Sequence, residues 1–211
     1  MLSVVIRCSE QVIGIPMGTD CAPFLANLFL FAYEYKWLKE RFDKKEFDVL
    51  RKFQFVFRYM DDLLCINNDQ LMDDVMTNIY PKELLLTCGD AVLQSHYLDL
   101  DLEIRNGNIH SKLFDKRDAF GFSIINFPDL SGNIPAKQSY GVFVSQLIRY
   151  GRCCMHAVDF IARTKILVHK LQNQGFKPQQ LKRVFEKFAK CNYELLFKYD
   201  QSISDICTSC C

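Results

Sequence analysis

Aromatic residues stand at every second position in Phe53, Phe55, Phe57 and Tyr59, alternating with Lys52, Gln54, Val56 and Arg58. Asp61-Asp62 interrupts the pattern, and Leu63-Leu64-Cys65-Ile66 resumes an apolar run. A period of two with aromatics is the mark of a β-strand, and Asp is a favoured turn residue. The segment therefore predicts two strands joined at the Asp pair. A second hairpin is written further on. Leu98, Leu100, Leu102 and Ile104 alternate with Asp99, Asp101 and Glu103, Asn106-Gly107 supplies the turn, and Ile109 to Phe114 returns.

Helices are expected around these hairpins. Residues 1–18 read as extended, with Pro16 and Gly18 breaking any helix. A helix should start after Thr19-Asp20, with Asp20 as N-cap and Pro23 in the first turn, where a missing N–H costs little. Phe24, Leu28, Phe31, Tyr35, Leu38 and Phe42 follow at helical spacing and predict its apolar face. Asp69 caps a short helix carrying Leu71, Val75, Met76 and Ile79, Pro81 ends it, and Leu84-Leu85-Leu86 reads as a buried strand. Residues 115–138 are loop-like. Three helical patterns then follow: Phe143, Leu147, Ile148 and Tyr150; then Phe160, Ile161, Ile166, Leu167 and Leu171, stopped by Gly175; then Leu181, Val184, Phe185, Phe188, Leu195 and Leu196, opened by Pro178. The fold class expected is α+β, followed by an all-α subdomain.

Charge is divided along the chain. Residues 1–136 hold 14 Lys and Arg against 20 Asp and Glu, whereas residues 137–200 hold 12 against 4. The basic back suits a partner made of phosphates. No run of about 18 apolar residues predicts a membrane span, and the start MLSVVIRCSEQ does not read as a signal peptide. Ten cysteines, scattered in apolar stretches (Cys65, Cys88, Cys191) or adjacent (Cys153-Cys154), read as buried free thiols of an intracellular chain. The tail Cys207-Thr208-Ser209-Cys210-Cys211 has the spacing of half a zinc site, with no second ligand pair near it. His96, His110, His156 and His169 share no spacing and read as incidental.

The Asp61-Asp62 pair carries the candidate chemistry. A tight turn is one place where adjacent carboxylates can reach the same space, and a divalent cation relieves their repulsion. Taken by itself, the pair reads as a solvated turn. The upstream segment Ile13-Gly14-Ile15-Pro16-Met17-Gly18-Thr19-Asp20-Cys21-Ala22-Pro23 is a Gly/Pro-rich turn entering a long helix. Its glycines would admit close approach of a substrate, and a helix start favours an anion. Alone, it reads as a plain strand-to-helix connection.

Together, the Gly/Pro segment, the long helix and Arg58-Tyr59-Met60-Asp61-Asp62 resemble a reverse transcriptase, similar to that family's B and C motifs in order and separation. With the later KRDAFGFSIINFPDLSGNIP and YGVFVSQLIRYGR stretches, the chain looks like the polymerases of animal retroelements of the Penelope-like group. The resemblance implies a partial polymerase palm over residues 1–114, a connecting loop over 115–138, a basic helical thumb over 139–200 and a Cys-containing tail over 201–211. It implies RNA-templated DNA synthesis by two-metal nucleotidyl transfer, with Mg²⁺ or Mn²⁺ as cofactor and a primer–template and a deoxynucleoside triphosphate as partners.

Roles then carry over by resemblance. Asp61 resembles the second catalytic aspartate and metal ligand, and Asp62 its less critical neighbour. Tyr59 and Met60 would lie near the primer end and the incoming nucleotide. Gly14, Pro16, Met17 and Gly18 would form the wall against nucleotide and template, although Met17 stands where many relatives carry Gln and Ala22 where many carry Ser. Tyr97, Leu98, Asp99 and Leu100 resemble the primer grip; an amphipathic hairpin with Asp99, Asp101 and Glu103 facing water is the alternative. Lys82 could match a residue that protonates pyrophosphate. Lys177, Lys182, Arg183, Lys187 and Lys190 would hold duplex phosphates, or form a solvated helix face.

One departure matters. The family carries a further metal-binding aspartate upstream of the Gly/Pro motif, and MLSVVIRCSEQV has none. The expectation is that this chain alone does not polymerise, with weak metal binding. The alternatives are a non-catalytic nucleic-acid-binding remnant and an unrelated α+β domain.

Overall fold

The computed structural model describes residues 20–66, 78–84, 93–122, 124, 127–199 and 205–206. They form mixed helix and strand with two small antiparallel sheets, in two compact units, residues 1–91 and 92–211. The expected extended segment at 1–18, the helix capped by Asp69 except its helical end at 78–79, and most of Leu84-Leu85-Leu86 lie outside the described residues.

In the first unit, α1 spans Ala22–Asp43, α2 Phe47–Lys52, β1 Val56–Tyr59 and β2 Asp62–Cys65. Helix α1 carries Pro23 in its first turn as expected, but its N-cap is Cys21, without a side-chain cap bond, rather than Asp20. Lys45, with φ of +61°, turns the chain into α2. That helix was not legible, and the strand expected from Phe53 begins only at Val56, because Phe53–Phe55 form a 3-10 turn. Phe53 turns onto Trp37, with ring centroids 4.7 Å apart. A tertiary aromatic contact has overridden a local alternation.

The face of α1 is a second correction. Phe24, Leu28, Phe31, Tyr35, Leu38 and Phe42 are all exposed, Phe24 at 69% and Phe42 at 62%. The packed side is instead Trp37 with Leu30 and Tyr33, against Val49, Phe53, Val56, Leu63, Cys65, Ile79 and Tyr80. Leu25, Leu28, Leu30, Phe29, Phe31, Tyr33 and Trp37 surround the helix on nearly every side. Periodicity alone does not choose a face in such a helix.

The second unit contains β3 Gln94–Tyr97, β4 Leu100–Arg105, β5 Asn108–Leu113, α3 Ala136–Cys153, α4 Ala157–Gln172, α5 Pro178–Cys191 and α6 Tyr193–Phe197. The sheet order is β3-β4-β5, all antiparallel. Asn106 and Gly107 both have positive φ, +50° and +77°, which is the type I′ arrangement the Asn-Gly pair predicts. The strand expected from Leu98 begins at Leu100, because Leu98-Asp99 form the turn from a further strand, β3, that was not expected.

Three helical patterns appear as expected, with Pro178 at the start of α5 and a left-handed Gly175 (φ +82°) after α4. The last pattern breaks at Asn192, between α5 and α6. Phe143, Phe160 and Phe185 are fully buried with Leu147, Leu167, Leu171 and Leu181, each contributing about 1.5–3 kcal/mol relative to exposure. Ile166 is the exception, lying exposed on α4. Leu113 and Leu100 join this core. The β3–β5 sheet shares a compact unit with the helices.

Cys153 and Cys154 are buried free thiols, as anticipated, whereas Cys65 is half-buried and Cys21 and Cys191 are exposed. Cys88 and the Cys207-Cys211 tail lie outside the described residues. Among the described residues no helix is long and apolar enough to cross a membrane.

Candidate metal centre

Strands β1 and β2 pair Tyr59 with Asp62, Arg58 with Leu63, Phe57 with Leu64 and Val56 with Cys65. Met60 and Asp61 make the turn, so the Asp pair straddles its end: Asp61 lies in the turn and Asp62 begins β2. Met60 has φ of +52° and Asp61 does not share the positive sign. This is the φ pattern of a type II′ turn, whose first central position favours Gly. A methionine held there carries strain of about 1–2 kcal/mol, a cost that concentrates at functional sites.

Alternation sends Val56 and Arg58 inward and leaves Phe57 and Tyr59 exposed. The Arg58 guanidinium then makes the bonds that hold the turn. Nε donates to Glu34 Oε1 at 2.6 Å and Nη2 to Glu34 Oε2 at 3.3 Å. Nη1 donates to Asn27 Oδ1 at 2.7 Å and to the Met60 carbonyl at 3.3 Å. Asn27 and Glu34 are two helical turns apart on α1, so one planar fork clamps the strained residue to the helix. Tyr80 donates to Glu34 Oε1 at 2.7 Å. Burial, then that hydrogen bond, pushes the Tyr80 phenol far above its ordinary range, so it remains a donor at any ordinary pH. Sequence reading missed this cluster; the one signal for it was an arginine at an inward-facing strand position.

Asp61 and Asp62 are both exposed. Among the described residues, neither carboxylate has a hydrogen-bond or ion-pair partner. Adjacent acceptor-only oxygens on a fixed turn fit a hard cation such as Mg²⁺ or Mn²⁺, not a thiolate-seeking metal. They offer two carboxylates, and no group of three His, Cys, Asp or Glu side chains comes together among the described residues.

The second hairpin repeats the turn with a different outcome. Leu98 has φ of +54° between Tyr97 and Asp99. Here Arg149 of α3 grips the Asp99 carboxylate, with Nη2 2.5 Å from Oδ1 and Nε 2.8 Å from Oδ2. The Asp99 carbonyl accepts from the Phe114 N–H at 2.8 Å. Leu98 is exposed and Leu100 packs on the core.

Asp101 does not face water as the amphipathic reading expected; it is 7% exposed. It accepts from Gln94 Nε2 at 3.0 Å and pairs with Lys112 Nζ and His96 Nδ1, each at 3.2 Å. Burial raises its pKa, but the Gln94 and Lys112 hydrogen bonds and the nearby charges outweigh this and leave it below the usual value. Glu103 pairs with Arg105 at 2.6 Å.

The histidines are less incidental than their spacing suggested. His96 stacks on Phe114 at 3.9 Å, and His110 Nδ1 lies 2.8 Å from His156 Nε2.

Lys177, Lys182, Arg183, Lys187 and Lys190 are all exposed, opposite the buried Leu181, Phe185 and Phe188 of α5. Lys82 is exposed in a turn after Pro81. Gly14, Pro16, Met17 and Gly18 lie outside the described residues. No protein-family model matches the chain, and neither curated proteins nor solved structures give a match.

Proposed function

We propose that the first unit is part of a reverse transcriptase palm, that Asp61 and Asp62 are ligands of its catalytic cations, and that the basic helices of the second unit belong to its thumb. The observation that carries this reading is the state of the Asp pair: two adjacent, exposed carboxylates without partners among the described residues, on a strained turn fastened from behind. Mg²⁺ bound there would neutralise charge on a triphosphate and on the attacking oxygen. The chain's own residues do the rest. The hairpin fixes the direction of the carboxylates, Arg58 holds the turn against α1, and half-exposed Tyr59, opposite Asp62, offers a ring to a nucleotide. Residues 1–19 hold no Asp, so a third aspartate for the proposed reaction comes from outside this stretch.

The test is binding of a deoxynucleoside triphosphate to the chain on an RNA–DNA primer–template. Binding that depends on Mg²⁺ and is lost on Asp61→Ala is expected; binding indifferent to both contradicts the reading. Template-directed extension by these 211 residues, lost on the same substitution, would make the two-carboxylate site active by itself.

A second reading is favoured by α5: a nucleic-acid-binding module without catalysis. Its four exposed cations, with Lys177 at its N-cap, support phosphate contacts. Lys182→Gln with Lys187→Gln should lower the salt slope of duplex binding by about 2. An unchanged slope would return that face to plain solvation.

A further inference from the structure

We infer that Arg58 is a positioning residue for the Asp61-Asp62 site, acting through the Met60 carbonyl, and that Glu34 keeps its guanidinium away from the two carboxylates. The inference rests on the cation-site reading above.

Arg58 is next but two to Asp61 in sequence and carries a full positive charge on a long side chain. In an open turn it would pair with Asp61 or Asp62 and displace a cation. The observed geometry prevents this. Two of its nitrogens face Glu34 at 2.6 and 3.3 Å, and Nη1 is shared between Asn27 Oδ1 at 2.7 Å and the Met60 carbonyl at 3.3 Å. The Arg58 and Glu34 side chains are only 14% and 25% exposed, so the pair is sheltered from exchange with water. Tyr80 steadies Glu34 from its other side at 2.7 Å. Glu34 thus balances the guanidinium charge, and Nη1 reaches the Met60 carbonyl of the turn. Outer groups of this kind orient ligands without touching the ion.

Charge and position make opposite predictions for this residue. If Arg58 matters only as a nearby positive charge, removing it must tighten cation binding. If it positions the turn, removing it must weaken binding although the local charge has become more negative.

The experiment is Mn²⁺ titration of the full chain, following the free-ion electron paramagnetic resonance signal, with melting curves showing that each variant is folded at the assay temperature. Arg58→Met is expected to raise the Mn²⁺ dissociation constant about tenfold. Arg58→Lys, which keeps the charge but cannot bridge Glu34, Asn27 and Met60 together, is expected to raise it less. Asn27→Ala, at an exposed position that leaves the core untouched, should weaken binding in the same direction and serves if Arg58→Met does not fold. Unchanged or tighter binding in the folded Arg58 variant, or in Asn27→Ala if that variant is the one measured, overturns the inference. Asp61→Asn and Asp62→Asn separate the two claims. If they abolish Mn²⁺ binding while the Arg58 and Asn27 variants do not alter it, the cation site stands and the positioning role falls. If they leave Mn²⁺ binding intact, both fall.

Discussion

The hairpins at Tyr59-Met60-Asp61-Asp62 and Tyr97-Leu98-Asp99-Leu100 are close to a controlled comparison. Each places a bulky residue at the left-handed first position of a two-residue turn, at φ of +52° and +54°, after a tyrosine and before an aspartate. Each is fastened by an arginine. In the second hairpin Arg149 takes the aspartate carboxylate itself, and a leucine that follows goes into the core. In the first, Arg58 takes the backbone carbonyl of the turn and leaves both carboxylates without partners among the described residues. Turn strain alone therefore does not mark a site. What distinguishes the two is where the arginine's hydrogen bonds go.

The largest effect that could break this contrast is on cation binding. Asp61→Asn should cost the Mn²⁺ affinity more than the roughly 10–100-fold attached to loss of an outer-shell partner, whereas Asp99→Asn should leave it unchanged. Equal losses at both positions would erase the distinction. Freeing the second turn gives a smaller effect on a different observable. Arg149→Ala should lower the stability of the second unit in a denaturant titration by about 0.2–1 kcal/mol, the range for a partly exposed ion pair, and should not create Mn²⁺ binding, because Leu100 stands where Asp62 does. Binding gained on that substitution would mean that a single unpaired carboxylate suffices.

Relief of the turn strain sharpens the comparison further. Leu98→Gly exchanges left-handed strain for glycine's chain entropy and should raise stability by about 0.5 kcal/mol. Met60→Gly should gain similarly in melting temperature yet weaken Mn²⁺ binding a few-fold, because a glycine turn is less pre-organised. The smallest effect at neutral pH concerns Asp101. Its folded-state pKa lies below the ordinary carboxylate value of 3.8. Its contribution is thus complete above that value and is lost as pH falls through the folded pKa, so melting curves should shift downward below about pH 4. Asp101→Asn should remove that part of the acid dependence.

Much of the architecture was legible where one chemical reason acts alone. Asn106-Gly107 predicted its turn because few other residue pairs accept two positive φ values. Phe143, Phe160 and Phe185 predicted their helices because the opposite faces are polar. Legibility failed where two answers were equally apolar or where the decisive contact was distant. Helix α1 carries aromatic or aliphatic residues on nearly all sides, so the stripe from Phe24 to Phe42 looked like a buried face and is exposed. The alternation from Phe53 looked like strand throughout, until Trp37 drew Phe53 into a helical turn. Leu98 bears no sequence mark of a left-handed turn. At the candidate site the Asp pair was visible, but its fastening was not, since Asn27, Glu34, Arg58 and Tyr80 meet only in the folded chain.

Paramagnetic line broadening by Mn²⁺, followed residue by residue in amide spectra of the intact chain, tests the central claim most directly. Substoichiometric Mn²⁺ should bleach the amides of Tyr59 to Leu63 first and leave Tyr97 to Leu100 sharp. Broadening that is equal at the two turns, or strongest at the second, would contradict the assignment of Asp61 and Asp62 as a cation site.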